Sequence, residues 1–422
     1  MKTTAIILFA LTYLSLLVFS KARAYIALAS AAIFVIVGIL PVGDVFGAVD
    51  WNVILMIAGT MGVVGFFIES KMPSLLADFI IEKVPNVKWA IVSLALFAGI
   101  ISAFVDNVAT VLMVAPVALT IAKKLKISPV PSVIAIAISS NLQGAATLVG
   151  DTTSILLGGY ANLNFLDFFF VDGRIGIFWV VEVGALVSTF ILLWIFRKEK
   201  QSITAMERTK VEDYIPSILL VGIIVLLICA SFIEGKPAIT NGVICMSLFI
   251  IGLVRKLIKT REVGSLTTAL KSIDYETILL LTGLFIVIGG ITEAGVVQDI
   301  SKLFVNLSKD NVFLIYTLIV WASVLFSAFI DNIPYVLTML PVTAEISSQL
   351  GIEPNLLFFG LLIGATLGGN ITPIGASANI TGLGILRKEG YEVSAPTFMK
   401  ISVPFTLAAV LSGYILVWFI WK

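Results

Sequence analysis

Residues 102–117, SAFVDNVATVLMVAPV, return at 327–342 as SAFIDNIPYVLTMLPV. Nine of the sixteen positions are identical at a constant offset of 225, and each copy sets an Asp-Asn pair, Asp106-Asn107 and Asp331-Asn332, inside a strongly apolar stretch. A carboxylate at the centre of a membrane helix costs roughly 2.5–3.5 kcal/mol even on lenient insertion scales, so two matched ones need a reason. A duplicated ion or substrate site supplies it.

The duplication extends outward. Residues 50–69 match 274–293 at seven of twenty positions, and Thr147-x-x-Gly150 matches Thr372-x-x-Gly375. Apolar spans fall near 3–20, 24–41, 51–69, 91–122, 131–158 and 174–196, then near 215–233, 238–254, 275–292, 311–348, 355–385 and 398–421. The pattern predicts an all-α polytopic membrane protein of two repeats, 1–196 and 214–422, joined by a cytoplasmic linker at 197–213.

The fourth span of each half, 91–122 and 311–348, is too long for one crossing and too short for two, since each crossing takes about 20 residues. Each reads as a re-entrant hairpin with its Asp-Asn tip near mid-membrane. The fifth spans, 131–158 and 355–385, read as broken helices, because Gly144, Gly150, Gly368, Gly369, Pro373 and Gly375 interrupt them. Five crossings per half invert the second repeat. With the first loop placed in the cytoplasm, 21 of the 27 Lys and Arg residues fall inside, among them Lys123, Lys124, Arg197, Lys198, Arg255 and Lys256. Lys2, Arg174, Lys236, Lys302, Lys309 and Lys422 fall outside, which satisfies the positive-inside rule and puts both termini outside the cell.

Composition narrows the classes. The chain is 59% hydrophobic and 13% charged, with a mean hydropathy of +1.09, so its partner is the lipid bilayer of a cell membrane. The first apolar run reads as a retained helix rather than a signal peptide, since no cleavage site follows it. A net charge of +1 gives no electrostatic case for nucleic acid. Histidine is absent, so a proton carrier must be a carboxylate, and neither zinc chemistry nor any other resident cofactor is expected. Cys229 and Cys245 have no metal-binding spacing, and no P-loop is present.

Asp106, Asn107, Asp331 and Asn332 are the first candidates. A carboxylate beside an amide carbonyl makes a reasonable sodium ligand set, and a desolvated Asp can carry a proton. The simpler reading is that each Asp caps the returning helix of its hairpin. A second group crowds the two breaks: Asn141, Thr147, Gly150, Asp151, Thr152 and Ser154 in one, Gly369, Asn370, Thr372, Gly375, Ser377 and Asn379 in the other. Thr110, one turn beyond the first tip, joins the set. Hydroxyls, amides and freed carbonyls there can hold a cation or a polar solute. Close packing of small residues is the competing account, standing level with coordination for Thr152 and Ser154. Buried amides favour function for Asn370 and Asn379. Asp151 aligns with Ala376, so the two sites are not equivalent. Glu69 and Glu293 read as solvated helix ends, and Glu182 as an embedded acid without a partner.

With these residues in view, the span order, the S-A-F-x-D-N pair and GGNITPIGASANI at 368–380 resemble the ion transporter superfamily. Within it the likeness is to the branch of arsenite-efflux permeases, NhaD-type sodium/proton antiporters and the melanosomal P protein, which share a citrate transporter-like domain. The resemblance covers essentially the whole chain. It implies a scaffold domain, a transport domain moving as an elevator, and a homodimer. A cytoplasmic ATPase partner stays open. Dicarboxylate carriers of the superfamily have Ser-Asn-Thr at their hairpin tips, and Asp106 and Asp331 depart from that. A negative tip repels a dicarboxylate unless a proton or Na+ neutralises it first.

The expected function is therefore secondary transport of a small inorganic or ionic substrate, coupled to H+ or Na+. An arsenite-permease-like efflux carrier comes first, a sodium/proton antiporter next, and an anion symporter of the same superfamily third. An intramembrane aspartyl protease also needs two embedded aspartates, but its GxGD pattern is absent.

Overall fold

A computed structural model describes residues 1–202, 208–211, 213–261 and 264–422. Part of the expected linker, 203–207 and 212, lies outside the described residues. The first half comprises α1 (Lys2–Val18), α2 (Arg23–Ile36), the short α3 (Val45–Ala48), α4 (Trp51–Glu69), α5 (Met72–Ile81), α6 (Val87–Ser102), α7 (Asn107–Leu125), α8 (Val130–Gly144), α9 (Thr152–Tyr160) and α10 (Ile177–Ile195). A two-stranded ribbon, β1 (Phe170–Val171) with β2 (Arg174–Ile175), precedes α10. The second half comprises α11 (Ile215–Ser231), α12 (Thr240–Thr260), the short α13 (Gly264–Leu270), α14 (Tyr275–Glu293), α15 (Val296–Ser308), α16 (Val312–Ser327), α17 (Asn332–Leu350), α18 (Pro354–Leu362), α19 (Ser377–Lys388) and α20 (Ala395–Trp421).

Seven described helices or helical runs are long and apolar enough to cross a bilayer. One of the seven is the hairpin arm α7; the other crossings expected from sequence fall on α1, α2 and α11, apolar helices of 17, 14 and 17 residues, and on the broken pair α8 and α9, of 15 and 9 residues.

The two long fourth spans each fold as two helices with a break at the Asp-Asn pair. The helices α6 and α16 have 16 residues each, and α7 and α17 have 19 each. Asp106 and Asp331 are the N-caps of α7 and α17: Asp106 accepts from the Val108 and Ala109 N–H groups, and Asp331 from that of Ile333. An N–H at a helix start has no partner within the helix, so each carboxylate meets a real need there. Capping and ion binding are thus compatible roles.

The fifth spans are broken as their glycines and Pro373 indicate. One stops at Gly144 and resumes at Thr152; the other passes through a π-helical turn at Ile363–Leu367 before resuming at Ser377. The helices α5 and α15 were not foreseen. They are short and amphipathic, so hydropathy alone passes over them, although Val296, Val297, Ile300 and Phe304 in α15 recur at helical spacing. Each begins at a left-handed residue, Lys71 (φ 59°) and Gly295 (φ 74°), at matched places in the two halves.

Two packed groups emerge. In one, α4 lies on α12 as α14 lies on α2, with α1 and α11 alongside. A Cβ on Gly59 would sit 2.4 Å from the Cys245 backbone, and one on Gly283 would sit 2.5 Å from that of Ala27, so these contacts demand glycine. In the other group, α6–α9 and α16–α19 assemble around α10 and α20. Ion pairs sort with the charge count. Glu69–Lys256, Glu82–Arg208, Asp213–Arg255, Asp213–Lys259 and Lys123–Glu389 each join segments assigned to the inner face. Lys2–Asp299 joins segments assigned to the outer face.

Candidate functional site

The first break and the first tip are pinned together, and the second pair repeats the arrangement. The Thr147 hydroxyl donates to the Ala103 carbonyl, and Thr372 donates to Ala328. A Cβ on Gly150 would lie 2.6–2.8 Å from the carbonyl oxygens of Gly144, Ser102 and Ala103. On Gly375 it would lie 2.6–2.9 Å from those of Gly369, Ser327 and Ala328. Backbone therefore touches backbone where the hairpin end meets the break, and only glycine leaves room. Thr110 donates to the Asp106 carbonyl at 3.0 Å, and Ser154 to that of Gly144 at 3.4 Å. Thr110, Thr147, Gly150, Ser154, Thr372 and Gly375 thus spend their polar groups or their lack of a side chain on holding the site together.

Inside this clasp runs a buried polar chain. The Asn107 amide donates to Asn141 Oδ1 at 3.0 Å and to Asp151 Oδ1 at 3.3 Å. Asp151 also accepts from the Thr152 N–H at 2.8 Å and the Thr153 hydroxyl at 2.9 Å. Asn141 donates to the Thr366 carbonyl at 2.7 Å, while Thr153 and Thr366 share a bond of 2.8 Å. Across the molecule, Asn370 donates to the Ile138 carbonyl, and Asn379 to those of Gly369 and Thr372. The side-chain oxygens of Asn370 and Asn379 are buried and accept nothing among the described residues. Two bare carbonyl oxygens in one break are acceptors in search of a donor or a cation.

A cavity of about 270 Å³ opens between the two packed groups. Asp106, Asn107, Asp151 and Thr152 line it from the first half, and Asn332 and Ser377 from the second. Lys271, Ser272, Asp274 and Thr277 form the wall toward the inner-face ion pairs. A second cavity of about 310 Å³, lined by Asp50, Tyr160, Gly289, Glu293 and Leu337, uses matched walls from the opposite end but reaches neither Asp-Asn pair. Glu182 lines neither cavity. Glu69 is an exposed helix end held by Lys256 at 2.6 Å.

The half-buried Asp106 and the buried Asp151 and Asp331 differ in charge balance. Asp331 is paired with Arg23 at 2.8 Å. Asp106 and Asp151 take part in no ion pair among the described residues. Sequence alone does not single out Arg23, because nothing local signals a partner 308 positions away. Asp274 was legible in the repeat, but only as the start of a span. It does cap α14, through the Thr277 N–H, while facing the cavity.

A polytopic helical chain with paired breaks around one polar cavity has the form of a secondary transporter. The model of the CitMHS family, described as citrate transporter, matches residues 6–364, and the chain belongs to that family, within the ion transporter superfamily. An uncharacterized transporter of Mycobacterium tuberculosis is 29% identical over 428 residues, covering 99% of this chain and 98% of the relative. The human P protein is 25% identical over 472 residues, covering 93% of this chain and 56% of that protein. Among solved structures, the Alcanivorax borkumensis YdaH transporter superposes with a TM-score of 0.61 at 16% identity, over 89% of this chain and 86% of that one. Neisseria gonorrhoeae MtrF, described as illuminating a class of antimetabolite efflux pumps, gives 0.54 at 16%, over 96% and 83%. Both likenesses are of fold.

Proposed function

We propose that this chain exchanges a coupling ion, H+ or Na+, for its cargo at the first hairpin tip, with Asp106 and Asp151 as the exchangeable carboxylates and the Asn107 amide, bonded to Asp151 and Asn141, beside them. The observation that carries this reading is their charge balance. The half-buried Asp106 and the buried Asp151 line one cavity without an ion-pair partner among the described residues, and such a pair needs a proton or a metal cation to be tolerable. Asn332, Ser377, Asn370 and Asn379 supply neutral oxygens at the other break, fit for a second Na+ or for the cargo.

The cavity wall adds Asp274 against the single cation Lys271, so it favours a cationic or neutral cargo over a free polycarboxylate. Sodium/proton antiport is the reading this geometry supports best. Efflux of a neutral metalloid acid, the cargo the motifs placed first, would use the same carboxylates but finds no thiol in the wall. The group of α6–α10 and α16–α20 would move as an elevator against α1, α2, α4, α11, α12 and α14, closing one cavity and deepening the other.

Proteoliposomes loaded with a pH dye test this, with sodium, lithium, arsenite or magnesium citrate added in turn. Proton release driven by sodium or lithium, and lost in Asp106→Asn, supports antiport. Flux with arsenite alone transfers the cargo to a metalloid, and flux with magnesium citrate alone makes the chain an anion symporter. Sodium-driven flux that survives in both Asp106→Asn and Asp151→Asn overturns the site.

A further inference from the structure

The Arg23–Asp331 pair stands apart from every other ion pair among the described residues. The others join segments on one face, whereas this one joins the corner between α1 and α2 to a hairpin tip. Sequence places that tip at mid-membrane, and it lines one cavity with the first tip. From the start of α2, the long arginine side chain reaches Asp331 at that tip, at 2.8 Å.

The grip has a second point. Tyr13 on α1 donates its hydroxyl to the Pro334 carbonyl at 2.8 Å and meets the Thr338 hydroxyl, both on the first two turns of α17. So α1 and α2, which pack on each other and on α14, hold the second hairpin through polar side chains placed one turn apart. Polar grips of this kind can be exchanged, because each broken bond can be replaced by water, a proton or an ion. A packed apolar seam offers no such replacement.

The two tips are thus treated differently. At the first, the carboxylate has no fixed counter-charge; at the second, the chain supplies its own. We infer that Arg23 is a positioning residue, a built-in counter-ion that latches the tip of the second hairpin to the corner of α1 and α2, so that the state with the 270 Å³ cavity open is left only when Arg23 releases Asp331. This rests on the reading that the hairpins move against that frame. A cation or proton reaching Asp331 takes the place of the guanidinium, and the tip travels with its charge still balanced.

The test is conformational. Leu112 lines the cavity and is 47% exposed, so Leu112→Cys in a Cys229→Ser, Cys245→Ser background reports an open cavity by its reaction with a membrane-impermeant maleimide. Arg23→Gln and Asp331→Asn should each slow that labelling about fivefold or more, a typical size for coupling between two states. Arg23→Lys should keep most of the wild-type rate. Arg23→Gln/Asp331→Asn should match the single variants, since all three lose the same bond; it also carries no unpaired buried charge, so it remains informative if Arg23→Gln alone fails to fold. Wild-type labelling in the double variant, or additive slowing, overturns the latch. Ion flux is recorded in the same liposomes. Expected labelling without ion-dependent flux sinks the coupling scheme alone, and normal coupling with unchanged labelling sinks the latch alone.

Discussion

Asn141 donates its amide to the backbone of Thr366, and the two residues stand 225 positions apart, the offset that separates the two Asp-Asn motifs. Each is the other's counterpart in the repeat. In an inverted pair of halves, residues that touch their own counterparts lie at the approximate two-fold axis, so this bond marks where such an axis would pass. Asn107 is one hydrogen bond from that point, through Asn141, and Asp151 is two, through Thr153 to Thr366.

Asp106→Asn should keep the fold, because asparagine caps a helix about as well as aspartate. It should still lower ion-coupled flux at least about tenfold, a barrier increase of about 1.4 kcal/mol or more. Flux from a pH dye, beside the melting temperature of the purified protein, separates the two effects.

Asp151→Asn should do the same, and Asp106→Asn/Asp151→Asn should be little worse than either alone. Carboxylates that line one cavity and exchange the same ion act as a unit, so their losses do not add. A double-mutant cycle on flux reads the coupling directly.

Gly150→Ala and Gly375→Ala should each destabilise by about 1–3 kcal/mol, since the new Cβ lands among three carbonyl oxygens. The two losses should be alike, because the surroundings match to within about a tenth of an ångström. Thermal melting in detergent measures both.

Burial raises the Asp213 carboxyl, but hydrogen bonds from Arg255, Lys259 and the Ile215 N–H outweigh it and hold the group at about 2. A depressed pKa stabilises the fold above the unfolded value, about 3.9, and that benefit is lost as pH falls toward 2. Asp213→Asn should therefore melt below wild type at pH 6, with the gap closing between about pH 4 and 2.

Single-cysteine variants at Lys198 and Lys302 should label from opposite faces, Lys198 from the cytoplasm and Lys302 from outside. The reverse pattern would turn the topology over. Replacing Cys229 and Cys245 by serine should leave activity largely intact. Cys245 is buried against Gly59 in the frame, and neither thiol lines the cavity.

The hairpins and breaks were legible because each is written twice, and a repeat turns a weak local signal into a strong one. Asp106, Asn107, Asp151, Asn332 and Ser377 reach the cavity wall from that reading. Thr147 and Thr372 belong to the same motif, yet sequence does not tell a hydroxyl that faces a ligand from one that faces a carbonyl. Arg23 and Thr366 were out of reach for another reason: their partners lie hundreds of residues away, and neither sits in a local pattern of its own.

The clasp of Thr147 with Gly150, repeated by Thr372 with Gly375, welds each hairpin end to its neighbouring break, backbone against backbone. Nothing can flex there without breaking van der Waals contact. Any swing of these parts must be taken up elsewhere along the chain, and the left-handed joints at Lys71 and Gly295 stand where the frame hands over to the hairpins in each half. If the hairpins move as proposed, these two joints would serve as the bearings, and a proline or a cross-link at either would block the motion while leaving every candidate ion ligand untouched.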